Sequence, residues 1–260
     1  MAVLRAAGCV FAEEEADLLL AAVTGPDLDA LVARRVAGEP LEVLLGWAEL
    51  CGLRVAVDAG VFVPRRRSEL LVRTAVPLLP VASREGMRPG VDLPVVVDLC
   101  CGTGALGLAV ARLGGPVELH ATDVDPTAVR CAARNLEPIG GHAWCGDLDE
   151  PLPGALRGRV HVLLANAPYV PSDEVAFMPP EAREHEPLVA LDGGPDGVEV
   201  QRRVIAAAPG WLRRGGHVLV ETSRRQAPLT TAAMTRYGLT ARVVHDEDLD
   251  ATVVVGRLPD

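Results

Sequence analysis

The chain has 260 residues, of which 49% are hydrophobic, and its formal net charge is −10. This length and apolar content suit one sizeable α/β domain with a small appendage. The strong negative charge argues against a nucleic-acid binder, because such proteins usually carry a basic footprint. The run Arg65-Arg66-Arg67 is a local exception, which we interpret as a solvated loop.

Three further features exclude other classes of protein. The acidic run Glu13-Glu14-Glu15 interrupts the apolar core that a signal peptide needs. Every apolar stretch is shorter than the roughly 18 residues of a membrane span, so none is expected. The six cysteines form no C-x-x-C pair, so we expect no metal site and free thiols in a reducing compartment. The sequence therefore predicts a soluble, cytoplasmic protein.

The N-terminal region is predicted to be helical. Residues 12–23 are amphipathic and rich in Ala and Leu, and Thr24-Gly25-Pro26 separates them from a second helix over residues 27–36. Residues 41–50 are a weaker third candidate. Together these elements predict a small helical substrate-recognition domain over residues 1–52.

The hydrophobic period changes from helical to extended near residue 53. Residues 53–57 and 61–63 flank Asp58-Ala59-Gly60, a pattern that predicts a β-hairpin. Ser68 is expected to cap the helix that follows. This hairpin, the helix and a Pro/Gly-rich linker make up the predicted segment 53–94.

Strands and helices alternate in the remainder of the chain. This alternation predicts a mostly parallel, doubly wound α/β sheet in a domain of residues 95–260. The first strand is a continuous apolar run, as expected for a strand that is covered on both faces. Strands are predicted over residues 95–99, 117–122, 142–145, 160–165, 217–221, 239–245 and 252–256, and helices over residues 105–113, 126–135, 200–212 and 226–237.

A glycine-rich segment follows the first predicted strand of this domain. Gly102, Gly104 and Gly107 form a G-x-G-x-x-G pattern, which lets the backbone turn sharply and approach a ligand closely. The helix that begins near residue 105 points its free N–H groups toward such a ligand. The segment therefore predicts a binding site for a nucleotide cofactor.

Two acidic residues help to distinguish between possible cofactors. Asp123 ends the second strand, where a carboxylate accepts hydrogen bonds from ribose hydroxyls. Asp98 stands four positions before Gly102, an arrangement typical of methyltransferases, in which it helps to hold the amino end of the methionine moiety. The intervening Leu99-Cys100-Cys101 fits the dinucleotide pattern of NAD less well. We therefore favour S-adenosylmethionine over NAD.

Three neighbouring residues admit simpler interpretations. Asp125, which precedes a proline, is typical of a helix N-cap. Asp147 follows the third strand, where it either accepts from an adenine amino group or serves as a turn residue. Trp144 is expected to pack in the core rather than to stack on adenine.

The exit of the fourth predicted strand carries the most informative motif, Asn166-Ala167-Pro168-Tyr169. It brings a side-chain carbonyl, a backbone carbonyl and an aromatic face to one point. The Asn166 oxygen and the Ala167 carbonyl can each accept one hydrogen of a planar –NH2, and Tyr169 can pack against its plane. Pro168 biases Ala167 toward extended geometry. Together with the cofactor loop, this motif predicts methylation of a planar amide or amine nitrogen.

A string of such motifs runs through most of the chain and is far more specific than any one of them. Its members are Phe62-Val63-Pro64-Arg65, Ser68-Glu69-Leu70-Leu71-Val72, residues 98–104, Ala121-Thr122-Asp123, residues 166–169, Glu186-Pro187, Ala190-Leu191, Gly193-Gly194, Asp196-Gly197, Glu221 and Gln226. On these motifs, residues 32–252 resemble the HemK/PrmC family, the N(5)-glutamine methyltransferases that act on peptide-chain release factors.

The resemblance implies a Rossmann-like, seven-stranded class I methyltransferase sheet with a small helical N-terminal domain and a β-hairpin hinge. It also implies methyl transfer from S-adenosylmethionine to a glutamine in the Gly-Gly-Gln loop of a release factor. Together with the motifs, it assigns cofactor contacts to Asp98, Cys100, Gly102, Gly104, Asp123, Asp147 and Asn166, and catalysis to Asn166, Ala167, Pro168 and Tyr169.

Three departures from the family pattern concern the substrate. Ala167 replaces a proline, the loop of residues 64–69 reads Pro-Arg-Arg-Arg-Ser-Glu instead of Pro-Arg-Pro-Glu-Thr-Glu, and the N-terminal helical part is short. In the family these regions face the release factor. The sequence therefore leaves open a small-molecule N-methyltransferase of a biosynthetic pathway and, less favoured because of the acidic charge, a nucleic-acid amino methyltransferase.

Overall fold

A computed structural model describes residues 1–80 and 93–260 of the chain. Most of the predicted linker of residues 77–94 lies outside these described residues. The described part begins with four helices, α1 (Ala2–Ala6), α2 (Ala12–Ala22), α3 (Pro26–Val36) and α4 (Leu41–Leu45). Their apolar side chains form a small core of their own around Leu4, Ala12, Ala16 and Leu19.

The hairpin lies earlier in the chain than predicted. Strands β1 (Trp47–Leu50) and β2 (Leu53–Ala56) pair antiparallel. Their turn is Cys51-Gly52, with φ values of 53° and 74°, and two positive φ values are the signature of a type I′ turn. The predicted hairpin around residues 58–60 is therefore wrong, as is the helical assignment of residues 47–50. The cause is that cysteine is an unusual residue at a left-handed turn position, which hid the true turn.

The corrected hairpin also moves a domain boundary. The predicted boundary between residues 52 and 53 would cut between the two paired strands, and we propose a boundary at Gly46 instead. Gly46 ends α4 with a φ of 76°. Helix α5 (Glu69–Ala75) follows the hairpin after a short 3-10 turn over Arg66–Ser68.

Ser68 does not cap α5, contrary to the prediction. Its backbone has φ −68° and ψ −9° and its side chain makes no capping hydrogen bond, whereas an N-cap residue needs extended geometry. The 3-10 turn places this residue inside the first helical turns and directs its hydroxyl into the protein.

The remaining strands form one seven-stranded sheet with helices on both faces. In chain order its elements are β3 (Val95–Leu99), α6 (Ala105–Gly114), β4 (Glu118–Asp123), α7 (Pro126–Leu136), β5 (His142–Cys145), β6 (Val160–Ala165), α8 (Pro180–His185), α9 (Glu199–Trp211), β7 (Leu212–Thr222), α10 (Ala227–Arg236), β8 (Thr240–Asp246) and β9 (Ala251–Arg257).

The strand order is β5-β4-β3-β6-β7-β9-β8, with β9 antiparallel to both of its neighbours and the other pairs parallel. The alternating pattern, the mostly parallel sheet and the C-terminal antiparallel pair are thus confirmed. Strand β7 begins five residues earlier than predicted, because Leu212 already pairs with Val160.

Two apolar layers cover the two faces of the sheet, and every residue of β3 is buried between them. The parallel strands β3, β4, β5, β6 and β7 all end at the same edge, where ligands bind in open α/β sheets. Among residues 1–80 and 93–260, no helix is both long and apolar enough to cross a membrane.

Candidate active site

A cavity of about 280 Å³ opens at the carboxyl ends of the central strands. Its wall includes six of the predicted site residues: Cys100, Gly102, Asp123, Asp147, Asn166 and Pro168. Four others are not part of the wall and act from behind it: Asp98, Gly104, Ala167 and Tyr169. The structure thus brings the cofactor loop and the Asn-Ala-Pro-Tyr motif to one cavity.

The loop between β3 and α6 has left-handed backbone at three positions. Cys100, Gly102 and Gly104 have φ values of 55°, 54° and 74°. A side chain is rarely tolerated in this region, so Cys100 stores local strain where the chain leaves the sheet. A Cβ atom on Gly104 would come within 3.2 Å of the Ala132 Cβ on α7. Gly104 therefore allows close packing of the loop on that helix rather than contact with a ligand.

Asp98 holds this loop from below. Its Oδ2 accepts a hydrogen bond of 2.9 Å from the backbone N–H of Gly107, in the first turn of α6. Its Oδ1 is buried and has no partner within the described residues. Burial raises the pKa of this carboxyl to about 7. The free oxygen is the kind of acceptor that the ammonium group of a methionine moiety satisfies.

Asp123 orders the opposite side of the loop. Its Oδ2 accepts from the Gly102 N–H at 2.8 Å and its Oδ1 accepts from the Asp125 N–H at 3.0 Å. Each carboxylate oxygen retains a second lone pair for a ribose hydroxyl. Asp125 is confirmed as the N-cap of α7, because its Oδ1 accepts from the Thr127 N–H at 2.7 Å.

Asp147 has a partner that the sequence did not reveal. Arg203 on α9 donates to Asp147 Oδ2 at 2.6 Å, and both residues line the cavity. Trp144 is not part of the wall; its indole N–H donates to His120 Nδ1 at 3.2 Å, and the two rings stack. Trp144 therefore packs on the sheet as predicted.

Apolar side chains make up much of the remaining wall. Among them are Val61, Phe62, Leu106, Leu148 and Val200. A mainly apolar cavity with a few polar groups at defined points suits a small organic cofactor. The free Asp98 oxygen and the carboxylates at the strand ends match the ammonium, ribose and adenine of S-adenosylmethionine, so the residues present fit this cofactor.

Asn166 stands at the cavity wall just beyond β6. Its Nδ2 donates to the Ser68 Oγ at 3.3 Å, while its Oδ1 accepts no hydrogen bond in the part of the chain that the structure describes. Ala167 is completely buried. Its carbonyl therefore cannot receive a substrate hydrogen unless the covering side chains shift, whereas Asn166 is already placed to accept one.

Tyr169 points away from the cavity. Its hydroxyl donates to Glu221 Oε1 at 3.3 Å, and the Arg67 guanidinium carbon lies 5.9 Å from the ring centre. Burial raises the pKa of its phenol. Gln226 Nε2 donates to the Tyr169 carbonyl at 2.8 Å and fixes the backbone of the motif. Contact between this ring and a substrate amide remains a prediction.

Two glycines explain why a loop after α8 can wrap around the motif. A Cβ atom on Gly193 would lie 2.7 Å from the Pro168 carbonyl oxygen, and one on Gly197 would lie 2.5 Å from that of Tyr169. Neither space admits a side chain. The glycine pattern in the sequence pointed to this loop, but its reason is visible only in the packing.

Glu186 joins the hairpin side of the cavity to the same loop. Its Oε1 accepts from the Val63 N–H at 3.1 Å and from Arg65 at 2.6 Å. Burial raises the pKa of the carboxyl despite the arginine. The next residue, Pro187, lines the cavity. Of the three consecutive arginines, Arg65 thus forms a buried contact and is not simply solvated.

Comparison with known proteins places this fold and site in a class. The family model described as "Methyltransferase small domain" matches residues 89–177. The 16S rRNA N2 G1207 methyltransferase of T. Thermophilus, solved in complex with AdoMet and guanosine, has a TM-score of 0.56 and 21% identity, covering 82% of this chain and 49% of that chain. The sheet order, the glycine loop and the strand-end carboxylates define a class I methyltransferase that depends on S-adenosylmethionine.

Sequence relatives identify the family within this class. A release factor glutamine methyltransferase of Gloeobacter violaceus is 37% identical over 258 residues, which cover 89% of this chain and 86% of that protein. One of Mycolicibacterium smegmatis is 35% identical over 266 residues, covering 95% and 90%. The chain belongs to the release factor glutamine methyltransferase family.

A relative with another substrate also matches the chain. The 4-amino-L-phenylalanine/4-methylamino-L-phenylalanine methyltransferase of Streptomyces pristinaespiralis is 33% identical over 218 residues, covering 84% of this chain and 73% of that protein.

Proposed function

We propose that this protein transfers a methyl group from S-adenosylmethionine to the side-chain amide nitrogen of the glutamine in the Gly-Gly-Gln loop of a peptide-chain release factor. The observation that carries this proposal is the orientation of Asn166. Asn166 lines the cavity, its amino group is held by Ser68, and its oxygen has no hydrogen-bond partner among the described residues. That oxygen is a ready acceptor for one hydrogen of a substrate amide.

An amide nitrogen is a poor nucleophile because its lone pair is delocalised into the carbonyl group. The protein must therefore orient the nitrogen and exclude water around it. Asn166 accepts one amide hydrogen, and the Ala167 carbonyl accepts the other once its cover shifts. The apolar wall formed by residues such as Phe62 and Leu106 keeps water out.

S-adenosylmethionine, when bound, supplies an electrophilic methyl group on a sulfonium centre. Asp123 would hold its ribose hydroxyls and Asp147 its adenine amino group, and Asp98, from behind the wall, would hold its ammonium group once the covering loop shifts. Cys100, Gly102 and Gly104 shape the loop around it, and Asn166 borders it on the substrate side. The transfer would release S-adenosylhomocysteine, and the N-methylated amide, which is strongly acidic, would lose its proton to solvent without a dedicated base.

A second function is supported by the relative that acts on 4-amino-L-phenylalanine. An aromatic amine also presents two hydrogens on a planar group, and the same Asn166 oxygen would accept one of them. Ala167 and the Arg66-Arg67 pair depart from the family pattern in the regions that face the substrate. The extensive agreement with release factor enzymes favours the protein substrate.

We also place the protein in the cytoplasm, free of stable nucleic-acid or membrane binding. The net charge of −10 opposes binding to phosphate backbones or acidic lipids. All six cysteines are free thiols, as is usual in a reducing compartment.

Labelled S-adenosylmethionine tests the proposal directly. Incubation with a release factor should label the protein, and a release factor with the Gly-Gly-Gln glutamine changed to alanine should accept no label. Equal labelling of both factors would overturn the site assignment. Labelling of 4-amino-L-phenylalanine in a parallel reaction, with neither factor labelled, would establish the second function instead.

A further inference from the structure

A buried carboxylate lies directly behind the substrate side of the cavity. Glu221 is near the end of β7 and is 2% exposed. Its Oε1 accepts from the Tyr169 hydroxyl at 3.3 Å, and the Arg67 Nε lies 3.7 Å from the same oxygen. Its Oε2 is buried and has no partner within the described residues. Burying a carboxylate with one oxygen unpaired costs stability.

Ser68 connects this carboxylate to Asn166. The serine is 2% exposed, and its Oγ accepts from Asn166 Nδ2 at 3.3 Å. The Ser68 hydroxyl also lies close enough to Glu221 to lower the pKa of the carboxyl, which favours its charged form. These three side chains come from the turn before α5, the exit of β6 and the end of β7, so only the folded protein brings them together.

The direction of each hydrogen bond in this series is fixed by chemistry. An ionised carboxylate can only accept, so a Ser68 hydroxyl that pairs with Glu221 must donate its single proton to it. The serine oxygen can then only accept a hydrogen from Asn166. An asparagine amide has one donor end and one acceptor end, and turning the donor end toward Ser68 leaves the oxygen toward the cavity.

We propose that Glu221 is a positioning residue that acts through Ser68 to hold the Asn166 amide with its oxygen toward the substrate nitrogen. This inference rests on the proposed function, because it assigns the orienting group for the same reaction. It explains the burial of the carboxylate, and it explains why a hydroxyl-bearing residue occupies position 68 although it caps no helix.

The charge on Glu221 gives the proposal a pH signature. Burial raises the pKa of this carboxyl, while Ser68, Arg67 and Tyr169 lower it. Arg67 and Tyr169 are the charged and titratable groups that face it. A protonated Glu221 can donate as well as accept, so the Ser68 hydroxyl is no longer forced to donate to it. The Asn166 side-chain amide can then rotate. Turnover should therefore fall on the acid side with an apparent pKa above that of an ordinary glutamate.

Glu221→Gln tests the inference, because a carboxamide of the same shape can donate as well as accept. We expect kcat to fall by up to about a hundredfold, the scale of a misplaced reacting group. S-adenosylmethionine affinity should stay unchanged, and the acid limb of the pH profile should disappear. Glu247→Gln, at an exposed glutamate that does not line the cavity, is the matched control and should change nothing.

Substitutions at Ser68 provide a second, independent arm. Ser68→Ala should reproduce the loss seen in Glu221→Gln, and Ser68→Thr, which keeps the hydroxyl, should restore most of the turnover. The double variant Ser68→Ala with Glu221→Gln should be no slower than either single variant, because both break the same series of bonds.

The outcomes separate this inference from the proposed function. If the wild-type protein labels no release factor, the proposed function fails, and the same variants are then compared with 4-amino-L-phenylalanine as acceptor. If the wild type methylates its acceptor and Glu221→Gln keeps the wild-type kcat and pH profile, the positioning role is overturned. Additive losses in the double variant would also overturn it. If the Glu221→Gln variant fails to bind S-adenosylmethionine, the comparison of Ser68→Ala with Ser68→Thr tests the positioning role instead.

Discussion

The two ends of the cavity are held together in different ways. At the cofactor end, backbone N–H groups hold side chains, as where Gly102 donates to Asp123 only 21 residues away. At the substrate end, side chains hold side chains, as where Asn166 donates to Ser68 across 98 residues. The cofactor end is thus built mainly by loop geometry, and the substrate end by long-range pairing.

This difference has a functional consequence. Geometry set by backbone serves a ligand that is common to the whole class of methyltransferases. A contact between two side chains can be altered by a single substitution. This suits the substrate end of the cavity, which selects the methyl acceptor. Cofactor binding and methyl transfer should therefore be separable by mutation.

The largest difference between the effect on turnover and the effect on cofactor binding is expected at Asn166. Asn166→Ala should cut turnover by about 10²–10³, the scale seen when one positioned hydrogen-bonding group is lost from an active site. Affinity for S-adenosylmethionine should stay nearly constant, because the cofactor is held by the loop after β3. Single-turnover methyl transfer measured beside calorimetric cofactor binding checks both halves. Wild-type rates would mean that the motif is only a turn.

The opposite result, weaker cofactor binding with a nearly unchanged rate, is expected at Asp123. Asp123→Ala should weaken S-adenosylmethionine binding by about 1.5–3 kcal/mol, the range for a lost charge-assisted hydrogen bond. The rate at saturating cofactor should change much less. Asp248→Ala, at an exposed aspartate, is the control for loss of charge. Calorimetry that shows unchanged S-adenosylmethionine binding, or tight NAD binding, would contradict the cofactor assignment.

A smaller effect, on stability, is expected at Asp98. Its pKa is raised by burial from 3.8 to about 7, so the folded state loses stability as pH rises between these values. Asp98→Asn should remove this loss and stabilise the cofactor-free protein above pH 7 by on the order of 1–2 kcal/mol, since an unpaired buried amide offsets part of the gain.

The Asp98→Asn effect has a built-in control. The difference from wild type should change sign near pH 4, where the aspartate is protonated and only the cost of the buried amide remains, and denaturant titrations at both pH values measure it. S-adenosylmethionine binding should weaken in the same variant. A pH-independent difference would mean that the Asp98 charge plays no part.

The smallest effect is expected at Ala167. Ala167→Pro should stabilise the protein by about 0.4–1 kcal/mol and leave turnover nearly unchanged, because Pro168 already favours extended backbone there. The Ala167 N–H donates no hydrogen bond among the described loop contacts, so proline removes none. Thermal melting and steady-state kinetics measure the two quantities. Marked destabilisation would show that the buried site has no room for the ring.

The cofactor end was predictable because its residues follow one another in the chain. The apolar run of residues 95–99, the glycines and Asp123 stand at spacings that strand and loop geometry impose. The motif at residues 166–169 was recognised in the same way. Even here the sequence did not distinguish residues on the cavity wall from those behind it, because Gly104 and Tyr169 act through packing.

The remaining features depend on partners that lie far apart in the sequence. Ser68 resembled a helix cap, and only its distance to Asn166 shows otherwise. Arg203 carried no local signal that it pairs with Asp147. The hairpin was misplaced because Asp58-Ala59-Gly60 has turn composition, whereas Cys51 does not. Local composition predicts the structure correctly only where contacts with residues far away in the sequence do not change it.

We propose that the site methylates a glutamine amide in preference to other planar nitrogen groups. A competition reaction tests it most directly: wild-type protein, a release factor and 4-amino-L-phenylalanine at equal concentrations share one pool of labelled S-adenosylmethionine. Mass spectrometry of both acceptors then gives the ratio of their kcat/KM values. We expect the label on the amide nitrogen of the Gly-Gly-Gln glutamine. Label found mainly on the aromatic amine, or at another position of the release factor, would contradict it.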